Sequence, residues 1–551
     1  VFSSFRVIQA KDQEELVADE LVNVTIDGAQ VSVPKGTTII EAAKQAGILV
    51  PHYCYHPSLS SPAVCRMCLV EVEKAPKLMP ACVTAVAEGQ VVLVDSEKAK
   101  KAREGVLELL LINHPLDCPI CDQAGECELQ DYVFQEGRAG TRYADYAKRY
   151  SPVEDFGPDV LYVPNRCILC TRCVRFMEEV AEEPVLNVSE RGDRAFIGIS
   201  PEQRLDHGWS GNVVDLCPVG SLISKDFLHK ARAWDLDKTA SICPGCTQGC
   251  NITIDTRDDM VVRLRPRPNL DVNRYFICDY GRMNYRWMNR GDRIEAPLVR
   301  ESGRHVATDW DTALDRLGQL VRGTSGSALI LASGRASTES LGLVRRMLDR
   351  LEVTAAVQVP IGEEAPLAGV PNLALRPERA ANLVGAQLLG YSADWPSALR
   401  ELATAGLVIV LDADLSHSDQ ELIANAPGGV VVMGTIFDEG LRSAELILPL
   451  TTMAEENGTY VNRDRRIQRY NQAKSQPGMS RPAWWVAGEV IAGPGPSASA
   501  PATAAEAFEL LGERWPAFAG LTHSDLGYTG VVLAESGDAL AGSQRADPGF
   551  M

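Results

Sequence analysis

No stretch of eighteen or more apolar residues occurs among the 551 positions, and the densest run, Leu109 to Ile112, is far too short to cross a bilayer as a helix. No apolar segment follows Val1-Phe2-Ser3-Ser4-Phe5-Arg6, so a signal peptide is not expected. The chain opens on Val rather than Met, which leaves residues ahead of Val1 open. Positive charge is in deficit: 54 Lys and Arg face 73 Asp and Glu, for a net charge of −19. That balance argues against non-specific nucleic-acid binding and against docking on an anionic membrane through a basic surface. Membrane contact through partner subunits stays compatible with it. Cysteine is absent from 279 to 551. That half therefore has no thiol to act as nucleophile, disulfide partner or soft metal ligand.

What is present lies mostly before that point. All fifteen cysteines fall between Cys54 and Cys278. Their number is odd, CxxC spacings dominate, and no secretion signal precedes them. Such a pattern reads as metal binding in a reducing compartment, here the cytoplasm or the cytoplasmic face of a membrane. The remaining composition, 45% hydrophobic and 23% charged, is that of an ordinary globular protein, and the length suggests three or more domains.

The cysteines group into sets of the size an iron–sulfur cluster takes, since such clusters want soft thiolates, usually four apiece. The first set is Cys54, Cys65, Cys68 and Cys82. The second, Cys118, Cys121 and Cys127, lacks a fourth thiol, and His114 lies just ahead of it at a predicted helix end. The third is the C-x2-C-x2-C run Cys167, Cys170 and Cys173, most simply completed by the distant Cys217, which precedes Pro218. The fourth is Cys243, Cys246, Cys250 and Cys278. Structural zinc is the competing reading for the first, third and fourth sets, and a zinc ribbon fits the fourth best. Fifteen cysteines and one histidine fill four sets of four with none left over.

Around these sets the pattern predicts an N-terminal hairpin (Val22, Val24, Ile26, then Val31, Val33) turning at Asp27-Gly28, a short helix from Ile39 to Ala46, and a helix over 98–113. Beyond residue 300, apolar strands at 328–331, 407–411, 430–433 and 447–450 alternate with helical stretches, which predicts a parallel α/β sheet. The Gly/Pro/Ser-rich segment 493–501 reads as a linker, with a short helical tail from about Ala504. Arg263, Arg265 and Arg267 are expected on a solvated strand face. His305, His417 and His523 are isolated and expected to have surface or structural roles, and Ser333-Gly334-Arg335 forms no dinucleotide fingerprint.

The order of a hairpin–helix β-grasp module with a plant-type [2Fe–2S] ferredoxin-like cysteine loop, a one-histidine, three-cysteine set, a bacterial-ferredoxin-like set and a four-cysteine set before an α/β half closely resembles the large iron–sulfur subunit family of bacterial respiratory complex I, the NADH–quinone oxidoreductase. The runs Pro51-His52-Tyr53-Cys54-Tyr55-His56, Cys65-Arg66-Met67-Cys68-Leu69-Val70-Glu71-Val72, Asn113-His114-Pro115-Leu116-Asp117-Cys118-Pro119-Ile120-Cys121-Asp122 and Gly125-Glu126-Cys127-Glu128-Leu129-Gln130-Asp131 carry the resemblance. It implies one [2Fe–2S] cluster on the first set and three [4Fe–4S] clusters on the others. It also implies an electron path from a flavin-bearing, NADH-binding subunit through the Cys54, Cys167 and His114 centres toward quinone-side hydrophilic subunits. The Cys243 cluster would lie off that path. The site would be the peripheral arm of a membrane complex on its cytoplasmic side.

The division expected is 1–97 β-grasp, 98–137 the His114 set, 138–238 ferredoxin-like, 239–295 the four-cysteine domain, 296–490 a truncated α/β domain, and 491–551 linker and tail. The α/β half resembles molybdopterin oxidoreductases. Cofactor-binding members usually follow the last cluster cysteine with x-Lys-Gly, whereas this chain reads Cys278-Asp279-Tyr280-Gly281. No molybdenum cofactor and no catalytic residue is therefore expected, and Glu455 to Asn462 is given a folding role. The rival reading is the catalytic subunit of an NAD-linked molybdenum formate dehydrogenase. Two others are a zinc scaffold and a diaphorase subunit of a soluble hydrogenase.

Overall fold

Alternation of Val22, Val24 and Ile26 with polar neighbours builds the strand Leu21–Ile26, which pairs antiparallel with Ala29–Pro34. Asp27 and Gly28 both take left-handed φ, 43° and 86°, as a two-residue turn matched to strand twist requires. The computed structural model describes residues 20–144, 148, 150–493 and 499–534. They form two units: the described residues up to 206 together with 216–228, and those of 207–215 together with the described residues from 229 on.

In the first unit the hairpin belongs to a five-stranded sheet. Its order is Ala29–Pro34, Leu21–Ile26, Gln90–Leu93, Leu69–Val72, Met79–Pro80. The helix Ile39–Gln45 lays Ile39, Ile40, Ala42 and Ala43 into the core beneath it, together with Cys68 and Cys82. The helix predicted over 98–113 is Glu97–Leu111, opened by Ser96, whose side chain accepts from the Ala99 N–H at 3.2 Å. Further on, Val160–Tyr162 pairs with Leu222–Ser224, and the helix Arg172–Arg175 runs into a π-helical turn, Phe176–Val180.

The second unit opens with the antiparallel sheet Asp237–Ile242, Asn251–Arg257, Met260–Pro266. Its arginines are not solvated as expected. Arg263 pairs with the buried Asp255 at 2.6 Å and Arg265 with Asp215 at 3.1 Å, while Arg267 is buried over the Tyr528 ring. The four predicted apolar strands are adjacent and parallel in the order Leu446–Pro449, Gly429–Gly434, Leu407–Leu411, Ser327–Ser333. Sequence reading missed the parallel edge strand Glu352–Gln358 and the antiparallel hairpin Leu298–Glu301/Arg304–Ala307 on the far edge. The linker positions 494–498 and the tail beyond 534 lie outside the described residues. The tail helix Ala504–Gly512 is not a loose appendage: Phe508, Leu511, Phe518 and Leu521 join the core of the sheet. His305 bonds the Ala444 carbonyl at 2.8 Å, His523 bonds the buried Glu339 at 2.9 Å, and His417 is exposed.

The segment Glu455 to Asn462 holds this unit together. Glu455 forms a buried pair with Arg293 at 2.8 Å, and the Tyr460 hydroxyl donates to the Arg335 carbonyl at 2.7 Å. Glu456 accepts from the Tyr470 and Thr451 hydroxyls, each at 2.9 Å. Burial nonetheless pushes its carboxyl up to about 8, and the neighbouring Glu339 adds to this. The folded chain therefore keeps a proton that the unfolded chain loses above about 4.5, so stability falls as pH rises from about 4.5 to 8. Glu456→Gln is expected to flatten that slope and to raise stability at pH 8 by a few kcal/mol, roughly 1.4 per pKa unit. Denaturant unfolding of the parent and variant across this window checks it.

Candidate metal centres

Each cysteine set lies within one unit, and tight turns bring its thiols together. In the first set the Cys54 sulfur is hydrogen-bonded to those of Cys65 and Cys82, and Cys68 to Cys82, so all four converge. The Cys54 N–H also points to the Cys65 sulfur at 3.4 Å. Arg66, inside the Cys65–Cys68 turn, takes φ of 58°. In the third set Leu169 and Thr171, on either side of Cys170, take φ of 53° and 61°. Left-handed conformations at such residues cost on the order of 1–3 kcal/mol each. Here they turn backbone amides inward, and the Leu169 N–H reaches the Cys167 sulfur at 3.4 Å.

The third set lines one cavity with all four of Cys167, Cys170, Cys173 and Cys217, closed by Tyr162 and Ser221. The hydroxyls of Tyr162 and Ser221 hydrogen-bond the Cys167 sulfur. Burial pushes the thiols of Cys167 and Cys217 up to about 11 and that of Cys170 to about 12. In the fourth set Cys250 and Cys278 each feel the charges of Cys243 and Cys246, and burial pushes the Cys243 thiol up to about 12. Gly245 and Gly281 bring backbone against these sulfurs: a Cβ on Gly281 would lie 3.0 Å from the Cys243 sulfur and 3.4 Å from that of Cys278. Loading such sites requires the metal to displace protons from buried thiols, so binding is pH-dependent and releases protons.

The second set is the most open. Cys121 and Cys127 are buried, Cys118 is exposed, and both buried thiols feel its charge. The Arg166 charge acts on both the His114 imidazole and the Cys121 thiol. Desolvation pushes the ring down to about 4, so it is neutral near pH 7 and keeps a lone pair to donate. Its Nδ1 is buried with no hydrogen-bond partner among the described residues. Gly220 abuts this set: a Cβ there would sit 2.2 Å from the Cys121 sulfur. Gly220→Ala should therefore abolish or distort the His114 centre. Iron would fall by about four per chain, with the signals of the Cys54 and Cys243 centres unchanged, as iron analysis and EPR would report.

The lined cavity, the glycine approaches and the inward amides fit a multi-iron group.

Sequence reading missed three arginines that flank the third set. Arg166 donates to Asp117, one residue before Cys118, at 2.9–3.0 Å. Arg172 makes a forked contact to Glu128, next to Cys127, at 2.9 and 3.3 Å. Arg175 donates to the Cys54 carbonyl at 2.6 Å. All three are buried. Their positions, one residue before the C-x2-C-x2-C run, within it and just after it, were the available signal. Tyr53, Cys54, Leu107, Cys127, Cys170 and Val219 share one apolar core, so thiols of three sets meet in the same dry interior.

In the second unit Tyr280, where a lysine would face a pterin, lies under the Arg379 guanidinium at 4.9 Å. A cavity at the carboxyl ends of the parallel strands is lined by Arg335, Asp412, Asp414, Thr435 and Glu456, and contains no thiol.

Five family models match segments of the chain. Residues 19–97 match a 2Fe-2S iron-sulfur cluster binding domain and 103–142 the NADH-ubiquinone oxidoreductase-G iron-sulfur binding region. Residues 157–223 match the ferredoxin-like domain of NADH-quinone oxidoreductase subunit 3. Residues 236–290 match the molybdopterin oxidoreductase Fe4S4 domain and 378–492 molybdopterin oxidoreductase. The chain is thus multidomain, with segments similar to 2Fe-2S and 4Fe-4S ferredoxin-type domains and to molybdopterin-oxidoreductase modules. Its relatives are subunits of bacterial NADH-quinone oxidoreductases and of the mitochondrial NADH-ubiquinone oxidoreductase. The NADH-quinone oxidoreductase protein of Rickettsia bellii is 40% identical over 332 residues, 60% of this chain and 48% of its own length. The NADH-ubiquinone oxidoreductase 78 kDa subunit of Candida albicans is 42% identical over 334 residues, 60% and 46% respectively. The chain spans about half the length of the curated relatives it matches. A solved NAD+-reducing [NiFe]-hydrogenase structure aligns with 38% of this chain and 90% of its own at 29% identity and TM-score 0.35.

Proposed function

We propose that this chain is the electron-relay subunit of an NADH–quinone oxidoreductase. It would carry one [2Fe–2S] cluster on Cys54, Cys65, Cys68 and Cys82. Three [4Fe–4S] clusters would be held by His114 with Cys118, Cys121 and Cys127, by Cys167, Cys170, Cys173 and Cys217, and by Cys243, Cys246, Cys250 and Cys278. The clusters supply one-electron chemistry. The chain's own residues fix ligand positions, exclude water from the shared core and place hydrogen bonds and charge beside the sulfurs.

The observation that carries this reading is the position of the Cys167 set. Its arginines bond directly to the ligand loops of both other sets in the first unit, and Cys170 shares their core. This supports a path from the Cys54 centre through the Cys167 centre to the His114 centre. Electrons would enter from a flavin-bearing partner and leave toward quinone-side subunits. The Cys243 set belongs to the second unit and is read as off the path. The six-part division from 1–97 to 491–551 stands as the domain proposal, with the tail sharing the α/β core. No described helix is long and apolar enough to cross a membrane, which suits a peripheral arm, proposed on the cytoplasmic side.

The α/β half is read as a scaffold without molybdenum. Tyr280, standing where cofactor-binding members carry a lysine, disfavours the formate dehydrogenase alternative. The test is reduction of the isolated chain. Dithionite should bleach it and NADH should not, until a flavin-bearing partner is added. Reduction by NADH alone, or stoichiometric molybdenum, would overturn the proposal.

A further inference from the structure

The ten residues between Cys54 and Cys65 make a longer loop than the Cys167 set uses, and nothing in their sequence explains it. In the structure this loop is docked, with Tyr55 and Leu59 buried. The Ser60 N–H donates to Glu179 at 2.8 Å and its hydroxyl donates to the same carboxylate. The Ser60 carbonyl accepts from Arg175 Nη1. Arg175 Nη2 donates to two further carbonyls, that of Cys54 at 2.6 Å and that of Cys170 at 3.3 Å. One guanidinium nitrogen therefore bridges ligand residues of two sets. Arg175 is 7% exposed. Among the described residues it makes no ion pair, and the carboxylate acting on it most strongly is the exposed Glu179.

We propose that Arg175 is a shared electrostatic anchor for the Cys54 and Cys167 centres, raising the potential of both, and that the long Cys54–Cys65 loop serves to seat Ser60 on it. The inference rests on the relay reading above. Each centre gains one electron on reduction and no proton, so its net charge falls by one. A buried, weakly screened cation bonded to ligand residues of both sets favours that state, whereas solvent damps an exposed one. Because the same cation faces both centres, removing it should move both in the same direction. A purely structural arginine would not produce that result.

The test is an EPR-monitored redox titration of the full chain, with dithionite as electron donor and iron counted on each sample. Arg175→Met should lower both midpoints, shifting each oxidised-to-reduced ratio about tenfold at fixed potential, about 59 mV for a one-electron couple. Arg175→Lys, which keeps the charge, should restore most of that shift. Glu179→Gln, which keeps the arginine, should raise both midpoints slightly. Full iron in Arg175→Met with either midpoint unmoved overturns the inference. If Arg175→Met loses iron, Glu179→Gln decides: a joint upward shift supports the anchor and unmoved midpoints overturn it. A parent chain without clusters would instead overturn the relay reading on which the anchor depends.

Discussion

Replacing Cys170 by serine is expected to remove the Cys167 centre, with iron falling by about four per chain, and to stop electrons at the Cys54 centre. Cys170 lies in the core shared with Tyr53, Cys54 and Cys127, so the damage should not stay local. Its carbonyl also accepts from Arg175, which is bonded to the Cys54 carbonyl. Without metal, the remaining thiols are buried groups pushed well above neutral pH, and the cavity they line has lost its filling. Metal binding free energy is in large part folding free energy in such sites. A loss of several kcal/mol in the first unit is therefore expected, read as faster hydrogen exchange at Val160–Tyr162 and Leu222–Ser224. Freeze-quench EPR after mixing with the flavin partner and NADH should show the Cys54 centre reduced and the His114 centre oxidised. Normal reduction of the His114 centre would argue for a different route.

The second large effect is expected at His114. A neutral imidazole leaves a cluster less negative than a fourth thiolate does, which raises its potential. Desolvation by burial already keeps the ring neutral near pH 7. His114→Cys should keep a four-iron centre but lower its midpoint by far more than any neighbouring centre moves, whereas His114→Ala should leave it partly empty. Cys118 of this set lies at the surface, while Cys121 and Cys127 are buried. An unchanged titration for His114→Cys would remove His114 from the ligand set.

Much of this was legible in the chain because it is local. The Asp27-Gly28 turn, the alternation of Val22, Val24 and Ile26, and the spacing within each cysteine run are decided by residues a few positions apart. The strands at 328–331 and 407–411 were readable because strands buried on both faces are continuous apolar runs. What escaped is non-local. Arg166, Arg172 and Arg175 look like surface charge in sequence, and their partners lie 49, 44 and 121 positions away. The same holds for His523, whose partner Glu339 is 184 positions distant. Glu352–Gln358 was missed because Glu352, Thr354 and Gln358 interrupt its apolar pattern at a sheet edge. The helical tail was read as an appendage because no signal within it reveals that Phe508 and Phe518 complete a core begun at Trp310.

The most direct test of the central claim is one EPR-monitored redox titration of the isolated chain, with iron, zinc and molybdenum measured on the same sample. The relay account predicts a coloured protein with one [2Fe–2S] and three [4Fe–4S] signals, about fourteen irons per chain, little zinc and no molybdenum. A colourless, EPR-silent sample loaded with zinc would contradict it.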